Sequence, residues 1–381
     1  MAEIITGTRT TYNINQEQRV IDISDKIALL EPDSYPLTVI LRQLGKKKAV
    51  NPEFKWIEDE LSARASKTTN SDPLGTDVTE IPVENVNFFK SNQVVKVLAT
   101  GEELLVVNVS GSNLIVKRGY GSTEADNIPA NADILIIGTA FPENSTEGEM
   151  KTTQTVIKRN YTQIFKTPFG VSRTTAQTEQ YGEKELAYLR RKMAIEHAVD
   201  IERTLLFGEP KEDVNENRRK TGGVLYWIKT NVHTPRINDF DEGDFLDFLE
   251  VVYRYNRLDR GSSKITLLAS SFIVKKINEW AKNQLIVPNK SDTYGISVVQ
   301  YIHPFGSPLN IINHPLLVAP GYDKYAIALN MELLSLRIIQ DTILKTNIQN
   351  PNVDGEVDMY LTELGLELQQ EKRHGVLKVV G

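Results

Sequence analysis

The most regular pattern of apolar and polar positions lies at residues 182–207 and predicts one long amphipathic helix. Gly208 and Pro210 follow this segment and predict the end of the helix. At about 1.5 Å per residue, a helix of this length measures roughly 39 Å. Apolar side chains recur at helical spacing on one face, which we expect to be buried. The predicted core positions on that face are Leu186, Leu189, Met193, Ile201 and Leu205.

A second pattern, that of short strands, occupies residues 88–141. Four apolar segments separated by glycine-containing turns lie at residues 93–99, 103–109, 113–118 and 133–138. Together they predict a small β barrel or sandwich that folds as a separate module. The flanking segments, residues 62–87 and those after Pro142, are rich in Ser and Thr. We expect them to be extended and exposed, leading to the module and back.

The chain begins with a polar, weakly patterned segment at residues 1–35, which predicts an arm. Pro36 and Gly45 bound a predicted short helix, since proline favours a helix start and glycine a helix end. We interpret the following Lys46, Lys47 and Lys48 as a solvated helix exit.

An α/β body is predicted after the long helix, and long strands after that body. The body has predicted helices at residues 241–255 and 270–284 and strands at residues 264–269, 297–303 and 309–313. Three strands, at residues 335–348, 356–370 and 374–380, end the chain, with a loop at residues 349–355 between the first two. The fold class is therefore α+β.

Composition narrows the possible classes of protein. The 381 residues exceed the roughly 250–300 at which a single core stops growing, so more than one packed body is expected. The formal net charge of −6 disfavours a dedicated nucleic-acid binder. The absence of cysteine excludes disulfides, thiolate metal sites and cysteine nucleophiles. No signal peptide and no apolar run of membrane-spanning length is evident, so we expect a soluble protein made in a cytoplasm.

A search for reaction chemistry finds no phosphate-binding loop, no dinucleotide fingerprint, no zinc helix and no nucleophile elbow. The histidines are scattered without ligand spacing, at His197, His233, His303, His314 and His374. His197 falls on the apolar face of the long helix, where we expect a core histidine with satisfied hydrogen bonds. A catalytic triad assembled only in space stays open, because its members need no fixed spacing.

Several short motifs carry a resemblance to a known family. They are residues 54–61 (FKWIEDEL), 117–123 (KRGYGST), 200–202 with Leu205, Leu206 and Gly208, 221–223 (TGG), 230–232, 305–306, 309–312, and Glu363, Leu366, Glu367 and 374–376. In their order along the chain, they resemble the major capsid proteins of tailed bacteriophages, which share the HK-ninety-seven-like fold. The chain is most similar to the subgroup whose extended loop holds an inserted β module.

The resemblance implies a shell subunit with four parts and one insert. The implied parts are an N-terminal arm at residues 1–50, an extended loop at 51–87 and 142–176 with a small β barrel inserted at 88–141, a peripheral domain with the long spine helix at 177–220 and 335–381, and an α/β axial domain at 221–334. Such a subunit is not an enzyme and has no cofactor. It self-assembles into the icosahedral head and encloses double-stranded DNA.

The resemblance also implies partners and a location. The partners are further copies of the chain in pentamers and hexamers, a portal protein, scaffolding or decoration proteins, and packaged DNA in loose contact, with no membrane. The location is the virion head, and the host cytoplasm during assembly. The residues expected at contacts between subunits are Trp56, Phe54, Glu58, Asp59, Lys151, Lys158, Asn352, Asp354 and Gly355.

Two alternatives remain open from the sequence. An encapsulin-like compartment shares the fold but packages protein cargo. A cytoplasmic hydrolase with a spatial triad belongs to another class, and it predicts a small oligomer in place of a shell.

Overall fold

The computed structural model describes residues 35–44, 46–145, 148–178, 184–256, 265–280, 285–286, 299–301, 304–305 and 309–381. The predicted arm before Tyr35 therefore lies outside the described residues. The chain folds as two compact units. The first consists of Met1–Trp56 and Lys158–Gly381, and the second is Ile57–Ile157.

We number the described helices and strands in chain order. The helices are α1 (Pro36–Leu44), α2 (Arg173–Gln177), α3 (Glu185–Phe207), α4 (Val224–Trp227), α5 (Glu242–Asn256) and α6 (Ser271–Trp280). The strands are β1 (Lys46–Lys48), β2 (Glu53–Glu58), β3 (Ala65–Lys67), β4 (Glu80–Pro82), β5 (Gln93–Val97), β6 (Glu103–Ser110), β7 (Asn113–Lys117), β8 (Asp133–Thr139), β9 (Val156–Tyr161), β10 (Gln163–Ser172), β11 (Lys211–Asp213), β12 (Arg218–Lys220), β13 (Val232–His233), β14 (Ile265–Ala269), β15 (Leu285–Ile286), β16 (Val299–Tyr301), β17 (Leu309–Asn313), β18 (Tyr325–Asn330), β19 (Leu334–Lys345), β20 (Gly355–Leu368) and β21 (Gly375–Lys378).

The long helix is present as α3, which ends at Gly208 as predicted. Its apolar face is not buried throughout, however. Ile201 and Leu205 are inaccessible to solvent, whereas the earlier core positions, Leu186, Leu189 and Met193, are only half-buried. This difference in burial arises because α1 and α4 cover the C-terminal half of α3 in addition to the neighbouring strands. The N-terminal half contacts mainly strands β10 and β20.

A four-stranded sheet lies beside α3 in the order β1-β19-β20-β10. β20 pairs antiparallel with both β19 and β10, and β1 adds to β19 in parallel. Lys46 to Lys48 follow α1 and are exposed, as the sequence interpretation expected, but they form the edge strand β1, which that interpretation missed. Lysines suit such an edge, since their charge discourages pairing with another chain. Residues 163–172, expected in the extended loop, form β10 of this sheet.

The second sheet of the first unit has the order β13-β21-β18-β14-β17-β16-β15 among the described strands. Every residue of β14 is buried, as expected for a central strand. Helices α5 and α6 pack on this sheet through Phe245, Phe248, Ile273 and Ile277.

The closing strand β21 belongs to this second sheet. It pairs with β18 and β13, not with β19 or β20 beside the spine helix. The sequence-based peripheral segment at residues 335–381 is thus divided between the two sheets. Gly375 permits the close approach of β21 to α5, because a Cβ atom there would lie 2.5 Å from Val252 Cγ2.

The second unit is built on a six-stranded sheet in the order β3-β8-β5-β6-β7-β4. Its four longer strands lie where the sequence predicted them. Two short strands, β3 and β4, extend the module back to residue 65, in a segment that was expected to be exposed and extended. Ile81 and Val83, on and just after β4, belong to its apolar core. Strands of three residues are too short to show a period of two, so the sequence pattern did not reveal them.

A buried ion pair connects the loops of this module. Arg118 Nε and Nη2 donate to the two carboxylate oxygens of Glu102 at 2.9 and 2.8 Å. Arg118 Nη1 also donates to the backbone carbonyls of Gly75 and Val78. Burial alone would raise the pKa of the Glu102 carboxyl, but the hydrogen bonds from Arg118 and from the amides of Gly119 and Asp126 outweigh burial and lower that pKa.

Candidate assembly interface

Strands β2 and β9 form a separate two-stranded sheet at the point where the chain passes between the two units. β2 alternates strictly, with Phe54 and Trp56 buried and Lys55 and Ile57 exposed. Only 4% of Trp56 is exposed, and its ring meets that of Trp227 edge to face at a centroid distance of 5.3 Å.

The expectation that Trp56 and Phe54 contact a neighbouring subunit is therefore corrected by the structure. Phe54 stacks near Trp56 at 6.2 Å and packs over Gly365, where a Cβ atom would lie only 2.7 Å from the Phe54 ring. Both rings contribute to the packing of their own subunit. The sequence alone did not reveal this, because Trp227 and Gly365 are distant from β2 along the chain.

The residues left free by this packing are the apolar side chains that alternate with them. Ile57 is 66% exposed, and on β9 Val156 and Ile157 are 56% and 64% exposed. Leu61, just after β2, is 95% exposed. Ile57 and Leu61 lie in the motif at residues 54–61, but the sequence did not mark them, Val156 or Ile157 as contact residues. The period of two points to Ile57, because Ile57 must point outward if Trp56 points inward.

The polar candidates in the second unit differ in exposure. Asp59 is exposed, and its Oδ1 accepts hydrogen bonds from the Glu60 amide at 2.9 Å and the Thr153 hydroxyl at 3.0 Å. Glu58 is half-buried. Lys151 is also half-buried, and its Nζ donates to the Phe89 carbonyl at 2.7 Å, so it holds its own module together.

Of the remaining candidates, Lys158 is half-buried on β9 in the first unit. The others surround the loop between β19 and β20. Asn352 and Asp354 are exposed, and Gly355 is half-buried where β20 begins. Arg173, at the start of α2, was not singled out from the sequence. Its Nε lies 2.8 Å from Asp354 Oδ1, so the structure brings this loop together with α2.

His197 is a core histidine, as predicted. It is buried on α3, where Nδ1 lies 2.8 Å from the Thr167 hydroxyl and Nε2 lies 2.7 Å from the Thr362 hydroxyl. Burial lowers the pKa of His197, Asp200 opposes this effect, and Arg42 adds to it. The neutral imidazole is therefore the form that the fold favours.

This shift predicts a pH dependence of stability. Because the folded state lowers the pKa of His197, the unfolded state binds more protons, and stability falls as the pH drops below the unfolded value of about 6.5. We expect His197→Asn to flatten the change in unfolding free energy between about pH 5 and pH 7, as measured by urea titration. Equal slopes for wild type and His197→Asn would contradict the assignment.

Two buried histidines among the described residues lie beside groups that a triad would need, and both sites are closed. His197 contacts two threonine hydroxyls, and His314 Nε2 lies 2.8 Å from Glu202, whose other partners include the Thr38 hydroxyl. His314, Glu202 and Thr38 are all buried. A hydrolase needs its nucleophile open to substrate, so neither group supports that alternative. His303 lies outside the described residues.

The described residues contain no group of three or more histidine and carboxylate side chains arranged to hold a metal ion. No helix among them combines the length and the apolar character needed to cross a membrane.

Comparison with known proteins gives a family. The model of the family described as SU10 major capsid protein matches residues 4–381. The major capsid protein of Pseudomonas phage PaMx41 is 34% identical over 134 residues, which are 35% of this chain and only 32% of that relative's length.

Solved structures give the fold. A chain from the capsid of a native GTA particle has a TM-score of 0.53 at 10% identity, with 97% of this chain and 98% of that chain covered. A chain from the capsid of Myoviridae phage XM1 has a TM-score of 0.48 at 9% identity, with 98% and 100% covered. The first likeness supports the predicted HK-ninety-seven-like fold. The family match extends over almost the whole sequence, and it shows that this chain belongs to the SU10 major capsid protein family.

Proposed function

We propose that this chain is the shell-forming subunit of a tailed-phage head and assembles with copies of itself, as pentamers and hexamers, into an icosahedral shell around double-stranded DNA. The family match over residues 4–381 carries this proposal. It favours a phage capsid over the encapsulin-like alternative. The subunit has a structural role and is not an enzyme.

The strand pair β2–β9 provides physical support. In this two-stranded sheet, Ile57, Val156 and Ile157 expose apolar surface to water. Such a surface favours association, because a neighbour can cover the apolar side chains. Obligate assemblies bury on the order of 2,000–5,000 Å² per interface, which can offset the cost of ordering such projecting segments. Repeated around closed symmetry, one such contact generates a shell.

The proposed partners follow from this role. The net charge of −6 suits a container that holds packaged DNA only loosely. A portal protein and scaffolding or decoration proteins are further proposed partners, in the virion and in the host cytoplasm during assembly. We also propose that the sheet beside α3 belongs to the peripheral domain and the sheet containing β14 to the axial domain, with β1 and β10 in the former and β21 in the latter.

Electron microscopy of the purified full-length protein tests the proposal. We expect closed shells or capsomers, and nuclease-protected DNA in native particles. Protein cargo without protected DNA would favour the encapsulin-like alternative. A small oligomer by sedimentation, under all assembly conditions tried, would favour the hydrolase and contradict the proposal.

The second unit should lie on the outer surface of the shell. It has its own apolar core and its own sheet, so it can fold without covering by neighbours. We expect limited proteolysis of assembled particles to cut within residues 57–157 before it cuts the first unit. A module protected from protease, or density for it inside the shell, would show that this placement is wrong.

The loop between β19 and β20 is a proposed contact between capsomers. Asp354→Lys breaks the exposed pair with Arg173, and exposed pairs contribute only about 0–1 kcal/mol, so folding should be little affected. Assembly should suffer more, because the reversed charge recurs at every subunit. The measurement is shell yield against the melting temperature of the subunit, with Lys67→Asp, which breaks the exposed pair with Asp133 in the second unit, as a matched charge reversal elsewhere. Wild-type shell yield for Asp354→Lys at low and high salt would contradict this role.

A further inference from the structure

Glu202 lies on the buried side of α3 and connects three separate segments of the first unit. Its carboxylate accepts hydrogen bonds from the backbone N–H groups of Leu37 and Thr38 at 2.7 Å each, and from the Thr38 hydroxyl. It also accepts a hydrogen bond from His314 Nε2 at 2.8 Å. The side chains of Glu202 and His314 are inaccessible to solvent.

The first turn of α1 requires such an acceptor. The leading N–H groups of a helix have no carbonyl partner within the helix, and a buried one without a partner is costly. Pro36 lacks an N–H group, and Glu202 satisfies the next two amides. A negative charge is also favourable at this end of the helix dipole. Glu202 therefore fixes where α1 begins.

His314 extends this connection to the segment that follows it. Its Nδ1 accepts a hydrogen bond from the Leu316 amide at 3.2 Å, which requires that Nδ1 carry no proton. The proton is then on Nε2, which donates to Glu202. A neutral imidazole thus bridges the carboxylate to the short turn at Pro315–Val318, whose first free amide it caps.

Apolar packing alone would hold the two segments independently. Leu37, Ile40 and Leu41 pack α1 into the core, and Leu317 packs the turn into the same core. The Glu202 carboxylate links the two segments, because it accepts hydrogen bonds from both. Moving either segment away leaves the buried charge with fewer hydrogen-bond donors. We propose that Glu202 couples α1 to residues 314–318, so that the helix and the turn open together.

The coupling does not depend on the proposed shell function, and it can be tested on the full-length protein by hydrogen exchange at single amides. Thr38→Val removes one donor to Glu202 while keeping the shape of the side chain. His314→Asn keeps an acceptor for the Leu316 amide, as asparagine caps a helix start, but its side chain is too short to reach Glu202.

The coupling must appear in both directions. Thr38→Val should accelerate exchange at Leu316 and Leu317 as well as in α1, and His314→Asn should accelerate exchange at Leu37 and Thr38. A hydrogen bond to a buried charge is lost in each case, so we expect acceleration on the order of 10- to 100-fold. Exchange in the central strand β14 should stay near the wild-type rate, which separates local opening from global unfolding.

Thr162→Val is the matched control, since Thr162 is a buried threonine of the same unit whose hydroxyl donates to another carboxylate, that of Glu363, at 3.0 Å. It should leave both segments unchanged relative to β14. The proposal is overturned if either variant accelerates only its own segment, or if neither variant accelerates any amide. It is equally overturned if the amides of β14 accelerate as much as those of the two segments.

Discussion

Replacing Trp56 by alanine is expected to lower the unfolding free energy of the isolated subunit by about 3–5 kcal/mol, the usual cost of truncating a buried large aromatic. Its ring is enclosed by Phe54 and Trp227 within one chain, so the loss is felt before any assembly. Domain stabilities are typically about 5–15 kcal/mol, so the variant should melt well below wild type or accumulate as insoluble protein. Thermal and urea unfolding of the unassembled subunit measure this effect.

The adjacent residue is the matched control. Ile57 follows Trp56 on β2 but points to the opposite side and is largely exposed. Ile57→Ala should change the stability of the subunit by no more than about 0.5 kcal/mol, as for most surface substitutions. If the exposed apolar side chains of β2 and β9 meet a neighbouring subunit, the same variant should form fewer shells. If the Trp56→Ala subunit has the melting temperature of wild type but fails to assemble, the assignment of Trp56 to the subunit core is wrong. Trp56 would then contact a neighbouring subunit.

Replacing Arg118 by methionine should destabilise the second unit by about 3–5 kcal/mol, because it leaves Glu102 buried without its counter-charge. The guanidinium also gives up its bonds to Gly75 and Val78, so the loops of the module lose their common anchor. The loss of stability is measured from the unfolding of the second unit, monitored by the rate of proteolysis within residues 57–157.

Two comparisons make the result specific. The double variant Glu102→Leu with Arg118→Met removes both charges and should be less destabilised than Arg118→Met alone. In the same module, Lys96 and Glu103 form a half-exposed pair at 3.9 Å, and Lys96→Met should cost less than about 1 kcal/mol. If Arg118→Met were no more harmful than Lys96→Met, the buried pair would not be the anchor of the module.

Acid should act on the same pair. The pKa of Glu102 is lowered in the fold below its ordinary value of 4.5, so its contribution to stability is present above that pH. The contribution is lost as the pH falls through the lower, folded pKa. The module of wild type should therefore lose stability below about pH 4.5 more steeply than the Glu102→Leu, Arg118→Met variant.

The sequence by itself determined the elements whose signal is local. Several elements lie close to their predicted positions: the spine helix, α1, α5 and the four longer strands of the inserted module. Each of them has either a long periodic pattern of apolar residues or clear turn residues at its ends. The short motifs, in their order along the chain, carried the resemblance to the capsid family, which the family match confirms. The burial of His197 was predictable for the same reason, since its place on the helix face follows from spacing alone.

Only the tertiary structure decided which segments pair and which side chains face a partner. Lys46 to Lys48 became an edge strand because β19 lies beside them, and β21 joined the sheet that contains β14 because β18 and β13 flank it. Trp56 lies in the core because its ring packs against that of Trp227, which is far from it along the chain. Glu202 stands in one of the motifs that resemble the capsid family, but its buried hydrogen bonds gave no signal in sequence, because its donors come from α1 and from His314. Local patterns report the alternation of one segment, whereas pairing and burial depend on residues that meet only after the chain has folded.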